Sequence, residues 1–227
     1  MAKKKITRKE LLNEPDEFIS FSSRMLSFTA KYKIQILYFI GALVVIGIAL
    51  SGYGYSSRKS EGKAFAMLEK AKKDYKISLS KDGPEKALNV VKDDFMKIIE
   101  KYSGNYGGKM ASIELANIYY NAGDMDSSIE QYGKVLKAFN DNNAVKCRIL
   151  SSLGYAYEAK NDLKSAVSYF EMIVSEPDNF LKDEALFNLG RLYAIMGDAK
   201  KSKDSYQKIV SGFTDSFYGE IAKERIS

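Results

Sequence analysis

From Ile34 to Ser57 the chain carries no charged residue, and Ile36–Leu50 is apolar at every position. At about 1.5 Å per residue, roughly 20 such residues cross a hydrocarbon core, so the pattern predicts a transmembrane helix over 34–57. Tyr32 and Tyr38 at one end, with Tyr53 and Tyr55 at the other, suit the interfacial aromatic belts, and Lys33 and Arg58–Lys59 close the segment. A core helix of a soluble domain would keep a polar face, which this run lacks. Upstream, Asn13, Pro15 and Asp16 read as a helix start. Phe18, Phe21, Met25, Phe28 and Tyr32 follow at spacings of three and four, one apolar stripe suited either to the membrane surface or to a partner.

Beyond the apolar run the pattern becomes periodic over a longer range. Leu115-Ala116-Asn117-Ile118-Tyr119 is followed by Ala122-Gly123-Asp124, Ser128, Tyr132 and Val135. The same order returns at Leu153-Gly154-Tyr155-Ala156-Tyr157, with Asn161-Asp162, Ala166, Phe170 and Ile173. It returns again at Leu189-Gly190-Arg191-Leu192-Tyr193, with Gly197-Asp198, Ser202, Tyr206 and Ile209. Each unit parses as two helices. A Gly or Asn able to turn left-handed ends the first, and the following Asp caps the second. Small residues (Ala116, Gly154 and Gly190 against Ser128, Ala166 and Ser202) let the helices approach, while Tyr119, Tyr157, Tyr193, Tyr132, Phe170 and Tyr206 fill the space between. These residues, with Leu115, Leu153 and Leu189, are expected to be core.

The spacing of Leu-Gly, Tyr, a small residue and an aromatic resembles the tetratricopeptide repeat over three units spanning 108–215. Leu150 and Leu186 stand where that repeat often has Trp, and only one unit carries the trailing Pro, Pro177. Residues 58–107 read as a helical neck or a degenerate first repeat: Pro84 starts a helix whose Phe95, Ile98 and Tyr102 align with Tyr132, Val135 and Phe139. Residues 216–227 read as a terminal capping helix. The fold class expected is therefore all-α, a single N-terminal transmembrane helix followed by a helical-hairpin solenoid. The resemblance implies a groove lined by first helices, here Ile113, Asn117 and Tyr120, then Tyr155 and Glu158, then Phe187 and Arg191. The Lys and Asn clamp for a C-terminal carboxylate, found in some members, is not carried over: Ile113, Ser151 and Phe187 stand at its Lys positions.

Composition narrows the chemistry. The chain has no histidine and one cysteine, Cys147, which in a helical pattern reads as a small buried hydrophobe. There is no nucleophile–base pair, no metal-ligand cluster and no cofactor motif. Gly104, Gly107 and Gly108 lack the Lys-Ser/Thr ending and preceding strand of a phosphate loop and read as an inter-repeat turn. Asp124, Asp162 and Asp198 read as turn caps. The net charge of +6 sits mainly before the apolar run, where Lys3, Lys4, Lys5, Arg8, Lys9, Arg24, Lys31 and Lys33 outnumber Glu10, Glu14, Asp16 and Glu17. That placement fits a cytoplasmic flank (residues 1–33) and argues against a nucleic-acid surface.

The expectation is thus a non-enzymatic adaptor with no cofactor and no small-molecule substrate, held in the bilayer through 34–57. Its short basic side lies in the cytoplasm and its repeats in the periplasm of a bacterial inner membrane. Cleavage after the small pair Ala49 and Ser51 is the competing reading of the apolar run. Gly47 and Ser51 form one small-xxx-small pair, which leaves a homo-oligomer unsupported. The layout resembles the YfgM-like ancillary subunits of the bacterial Sec translocon, which implies partners among translocon, chaperone or envelope proteins. A scaffold for an envelope assembly machine, or a receptor with the repeats facing the cytosol, are the alternative readings.

Overall fold

The computed structural model describes residues 17–177 and 180–227, with side chains from 21 onward. The helix start expected at Asn13–Asp16 and the Phe18 side chain lie outside the described residues. Among those described, nine α-helices form and no strand: α1 (Glu17–Asp82), α2 (Pro84–Lys101), α3 (Tyr106–Asn121), α4 (Met125–Leu136), α5 (Asn143–Ala159), α6 (Leu163–Ser175), α7 (Lys182–Ile195), α8 (Ala199–Gly212) and α9 (Gly219–Ile226). A single 3-10 turn, Lys137–Phe139, follows α4. The chain divides into two compact units, one ending at Ser57 and the other spanning Arg58–Ser227.

In the first unit α1 is helical apart from Tyr32, whose φ of −109° and ψ of 17° mark a kink. Past the kink, Ile34, Leu37, Phe39, Leu43, Val45, Ile48 and Leu50 are all exposed, and no residue of the most apolar stretch is buried within the chain. Length and composition make this the one helix among the described residues able to cross a membrane.

In the second unit the end of α1 turns at Gly83, at φ 81°, and α2 returns beside it. Ala64, Leu68 and Ala71 of α1 meet Leu88, Val91, Phe95 and Ile98 of α2, closed by Ala111 and Leu115 of α3. Phe95, Ile98 and Tyr102 are buried, as are Tyr132, Val135 and Phe139 at the positions with which they align. α3/α4, α5/α6 and α7/α8 form three further hairpins. Their turns repeat one device: Gly123, Asn161 and Gly197 take positive φ (82°, 63° and 80°), where most side chains are strained. The next residue then caps: Asp124, Asp162 and Asp198 accept from the backbone N–H of Ser127, Ser165 and Lys201 at 3.1, 3.1 and 3.0 Å. The turn-and-cap reading of these six residues holds in every unit.

Between paired helices the small–large alternation is equally regular. A Cβ built on Gly154 would stand 2.7 Å from the ring of Phe170, and one on Gly190 would stand 2.7 Å from Tyr206. The Ser128 hydroxyl donates to the Ala116 carbonyl at 2.9 Å, and Ser202 donates to the Gly190 carbonyl at 2.7 Å. In the middle pair Ala166 replaces the serine, so the hydroxyl–carbonyl bond has no counterpart at that position. Leu115, Ala116, Tyr119, Ser128, Tyr132, Leu153, Gly154, Ala166, Phe170, Leu189, Gly190, Tyr193, Ser202 and Tyr206 are all buried. Tyr157 is half-buried, stacked on Tyr169 at 5.3 Å. Each large apolar side chain so buried contributes about 1.5–3 kcal/mol. The last apolar face, with Leu186, Tyr206 and Ile209, is covered by Ala222 of α9.

One expectation is corrected. Gly107 and Gly108 belong to the first turn of α3 rather than to an inter-repeat turn. A Cβ on Gly107 would lie 2.8 Å from that of Ala64, and one on Gly108 would run into the Tyr102 carbonyl. The close approach brings Glu61 of α1 to the start of α3. Its carboxylate accepts from the Tyr106 and Gly107 N–H groups at 3.0 and 2.5 Å and from Asn105 Nδ2 at 3.1 Å. A helix N-terminus has unpaired N–H groups and partial positive charge, and here the chain's own carboxylate satisfies them.

Candidate functional site

The first helices of the hairpins, α3, α5 and α7, carry the residues expected to line a groove, and these divide into three groups. Between α3 and α5, Asn117, Tyr120, Tyr132, Ser152 and Tyr155 line an open pocket of about 190 Å³. Tyr132 reaches it from α4 and donates its hydroxyl to Asn117 Oδ1. Burial pushes Tyr132 up to about 12, with Ser152 pulling the other way. The Asn117 amide nitrogen and the Tyr120 hydroxyl make no hydrogen bond within the described residues, so this pocket presents two amide protons and a phenol. Such groups match the donors and acceptors of a peptide backbone.

Between α5 and α7 the polar groups are already engaged. The Tyr155 hydroxyl donates to Glu184 Oε1 at 3.0 Å and accepts from Asn188 Nδ2 at 2.9 Å, while Ser151 donates to the same carboxylate oxygen at 3.1 Å. Arg191 grips Glu158 with both terminal nitrogens, Nη2 to Oε2 at 2.7 Å, and reaches Asn188 Oδ1 at 3.0 Å. Burial, partly offset by Asn188 and reinforced by the Glu184 charge, pushes Tyr155 up to about 12. The hydrogen bond from Arg191 to Glu158 holds the guanidinium above its ordinary value. These contacts tie consecutive hairpins together.

The outer members of the expected row are covered by the chain itself. Ile113 is half-buried among Ala116, Tyr132, Val135 and Leu153. Phe187 stacks against Tyr218 at 4.7 Å and meets the edge of Tyr206 at 5.9 Å. The segment bearing Tyr218 is held by Ser216, which donates to Asp183 Oδ2 at 2.6 Å. Sequence reasoning missed Glu184, Asn188, Ser152 and Tyr218, and named Ser151 only as the residue standing at a clamp Lys position. The spacing of Glu184, Asn188 and Arg191 at i, i+4 and i+7 puts them on one face of α7, and that signal was open to reading.

A stack of helical hairpins whose first helices carry amide, phenol and guanidinium groups is a repeat protein of the kind that recognises other proteins. The chain belongs to the tetratricopeptide repeat-like domain family, whose match spans residues 27–216. Comparison with curated proteins finds no match.

Solved structures share the fold. A tetratricopeptide repeat protein from Parabacteroides merdae aligns with a TM-score of 0.56 at 16% identity, over 71% of this chain and 59% of that one. Nearly identical TPR-like repeats of a kinesin light chain from Podosopora anserina give 0.53 at 13%, over 71% and 82%. BtubC from P. vanneervenii gives 0.53 at 13%, over 75% and 81%. At these identities the likeness is one of fold. The fold itself supports a role in binding proteins.

Proposed function

We propose that this chain is a non-enzymatic, membrane-anchored adaptor that holds an extended segment of a partner protein against the first-helix face of its repeats. The observation that carries the reading is the pocket between α3 and α5, where Asn117 and Tyr120 keep hydrogen-bonding capacity that Tyr155, Glu158 and Arg191 spend on inter-hairpin contacts. In this reading residues 34–57 cross the bacterial inner membrane, residues 1–33 stay in the cytoplasm and the repeats face the periplasm. The partners are then translocon, chaperone or envelope proteins. Residues 58–107 act as a degenerate first repeat, and Ile113 and Phe187 border the site rather than contact its occupant.

The test is a photo-crosslinking amino acid placed at Tyr120, compared with one at Lys203 on the exposed side of α8. A partner adduct specific to position 120, lost on Asn117→Ala while the circular dichroism is unchanged, supports the site. The same adducts at both positions overturn it. Orientation is read separately, with Cys147→Ser, which removes a buried thiol, and Ser227→Cys as the only one. Labelling by an impermeant maleimide in cells with a permeabilised outer membrane puts the repeats in the periplasm. Labelling only after lysis puts them in the cytosol.

A further inference from the structure

The kink at Tyr32 separates a short amphipathic helix from the apolar span that follows it. At 3.6 residues per turn, Phe21, Met25, Phe28 and Tyr32 fall within an arc of about 60°. Phe21, Met25 and Phe28 are each more than half exposed (64%, 58% and 58%), so among the described residues nothing covers these three, while Tyr32 is half-buried. Phe28 and Tyr32 are in ring contact at 4.7 Å, with Lys31 Nζ 5.3 Å above the Tyr32 ring. Arg24 and Lys31 follow one flank of the stripe, while Ser27 lies roughly 130° around from it.

We infer that residues 17–32 form an interfacial helix, whose aromatic stripe enters the acyl boundary of an anionic bilayer and whose Arg24 and Lys31 meet lipid phosphates. The inference rests on the reading of 34–57 as a membrane span. Three observations select lipid over a second copy of the chain. The helical φ/ψ break at Tyr32, immediately before the span, so the stripe has a bend where it meets the bilayer. A helix–helix seam of the same four–three spacing would have to run on through that bend, and its next position is Gln35. The stripe is bordered by cations, and aromatic residues beside Lys and Arg are the composition of helices that lie in the headgroup plane.

The natural chain has no tryptophan, so one introduced residue reports alone. The full-length protein is reconstituted in vesicles of phosphatidylcholine and phosphatidylglycerol carrying bromine on the acyl chains, near the headgroup or near the bilayer centre. Three variants are compared: Phe28→Trp on the stripe, Ser27→Trp away from it, and Val45→Trp within the span. The expected result is loss of Phe28→Trp emission with bromine near the headgroup, little loss for Ser27→Trp, and loss of Val45→Trp emission with bromine near the centre. If Val45→Trp is quenched while Phe28→Trp is protected from both bromine and aqueous acrylamide, a protein surface covers the stripe and the inference fails alone. If Phe28→Trp is quenched by acrylamide as strongly as Ser27→Trp, the helix stands in water and the inference again fails. Absence of quenching at Val45→Trp overturns the membrane span, and the interfacial helix with it.

Discussion

Two glycines in adjacent hairpins receive the same substitution with opposite expected signs. Gly133 in α4 has nothing within 4 Å of the place a Cβ would take, so Gly133→Ala keeps only the propensity gain, up to about 1 kcal/mol of stabilisation. Gly154 in α5 has two carbons of the Phe170 ring at 2.7 Å, and that ring is fully buried with no room to retreat. A carbon pair settles near 3.5–4.0 Å, so the ring or the helix must move by roughly 1 Å. Overpacking of that kind costs about 1–3 kcal/mol, which offsets or exceeds the same propensity gain. The stabilities of the two variants should therefore differ by about 1–3 kcal/mol, which for a unit of this size is a few degrees to about 10 °C in Tm. The assay is thermal and urea unfolding of the full chain in detergent, followed by circular dichroism. Adding Phe170→Leu to Gly154→Ala should recover part of the loss, since a smaller side chain vacates the overlap. Gly154→Ala as stable as Gly133→Ala would falsify the close approach of α5 to α6, and with it the register of the repeat.

Two further outcomes follow from named groups. Glu61→Ala leaves the Tyr106 and Gly107 N–H groups without their carboxylate and should cost about 1–3 kcal/mol, seen as faster amide exchange at the start of α3; unchanged exchange there would mean water replaces the carboxylate at no loss. Tyr132 and Tyr155 are raised in the folded protein from 10.0 to about 12. Their contribution to stability is complete below about pH 10 and is lost as pH rises through about 12, because the unfolded chain gives up those protons first. Tyr193, held by Glu171, is raised as well, so ultraviolet difference titration should show a group of tyrosines ionising late, and Tyr155→Phe should reduce that group by one.

How far the fold could be read from the chain depended on whether a residue's partner was local. Asp124, Asp162 and Asp198 cap helices that begin at the next residue, and Gly123, Asn161 and Gly197 turn the backbone in place, so short sequence windows contain the whole interaction. The Gly154–Phe170 and Gly190–Tyr206 pairs cross a hairpin, but repetition at fixed spacing exposed them. Glu61 has neither advantage: its partners lie some 45 residues away and nothing repeats them, so Gly107 and Gly108 read as a loop when they are a helix start packed on α1. The candidate site shows the same division. Its residues could be placed on one face from the register of the first helices. Which of them are held by neighbouring hairpins depends on Glu184, Asn188 and Tyr218, whose contacts appear only once the hairpins are stacked.

That division matters for any attempt to locate binding by mutation. Arg191→Ala removes a cation from a half-buried Glu158, with side chains 34% and 23% exposed, and frees one face of Asn188. Partial exposure lets water compensate some of the charge, so the loss should be about 1–2 kcal/mol, less than for a fully buried pair. A weaker partner interaction in such a variant would report looser stacking of α5 on α7 as readily as a lost contact. Asn117 and Tyr120 carry less of that ambiguity, because the one side-chain hydrogen bond between them and the described residues is the one Asn117 accepts from Tyr132 of the same hairpin. If Arg191→Ala abolishes the adduct at position 120 while leaving the unfolding midpoint where it was, then the α5–α7 row touches the partner directly and the site is wider than its pocket. If the midpoint falls and the adduct persists at temperatures below it, recognition is confined to the α3–α5 pocket, and the polar row beside it serves to hold consecutive hairpins together.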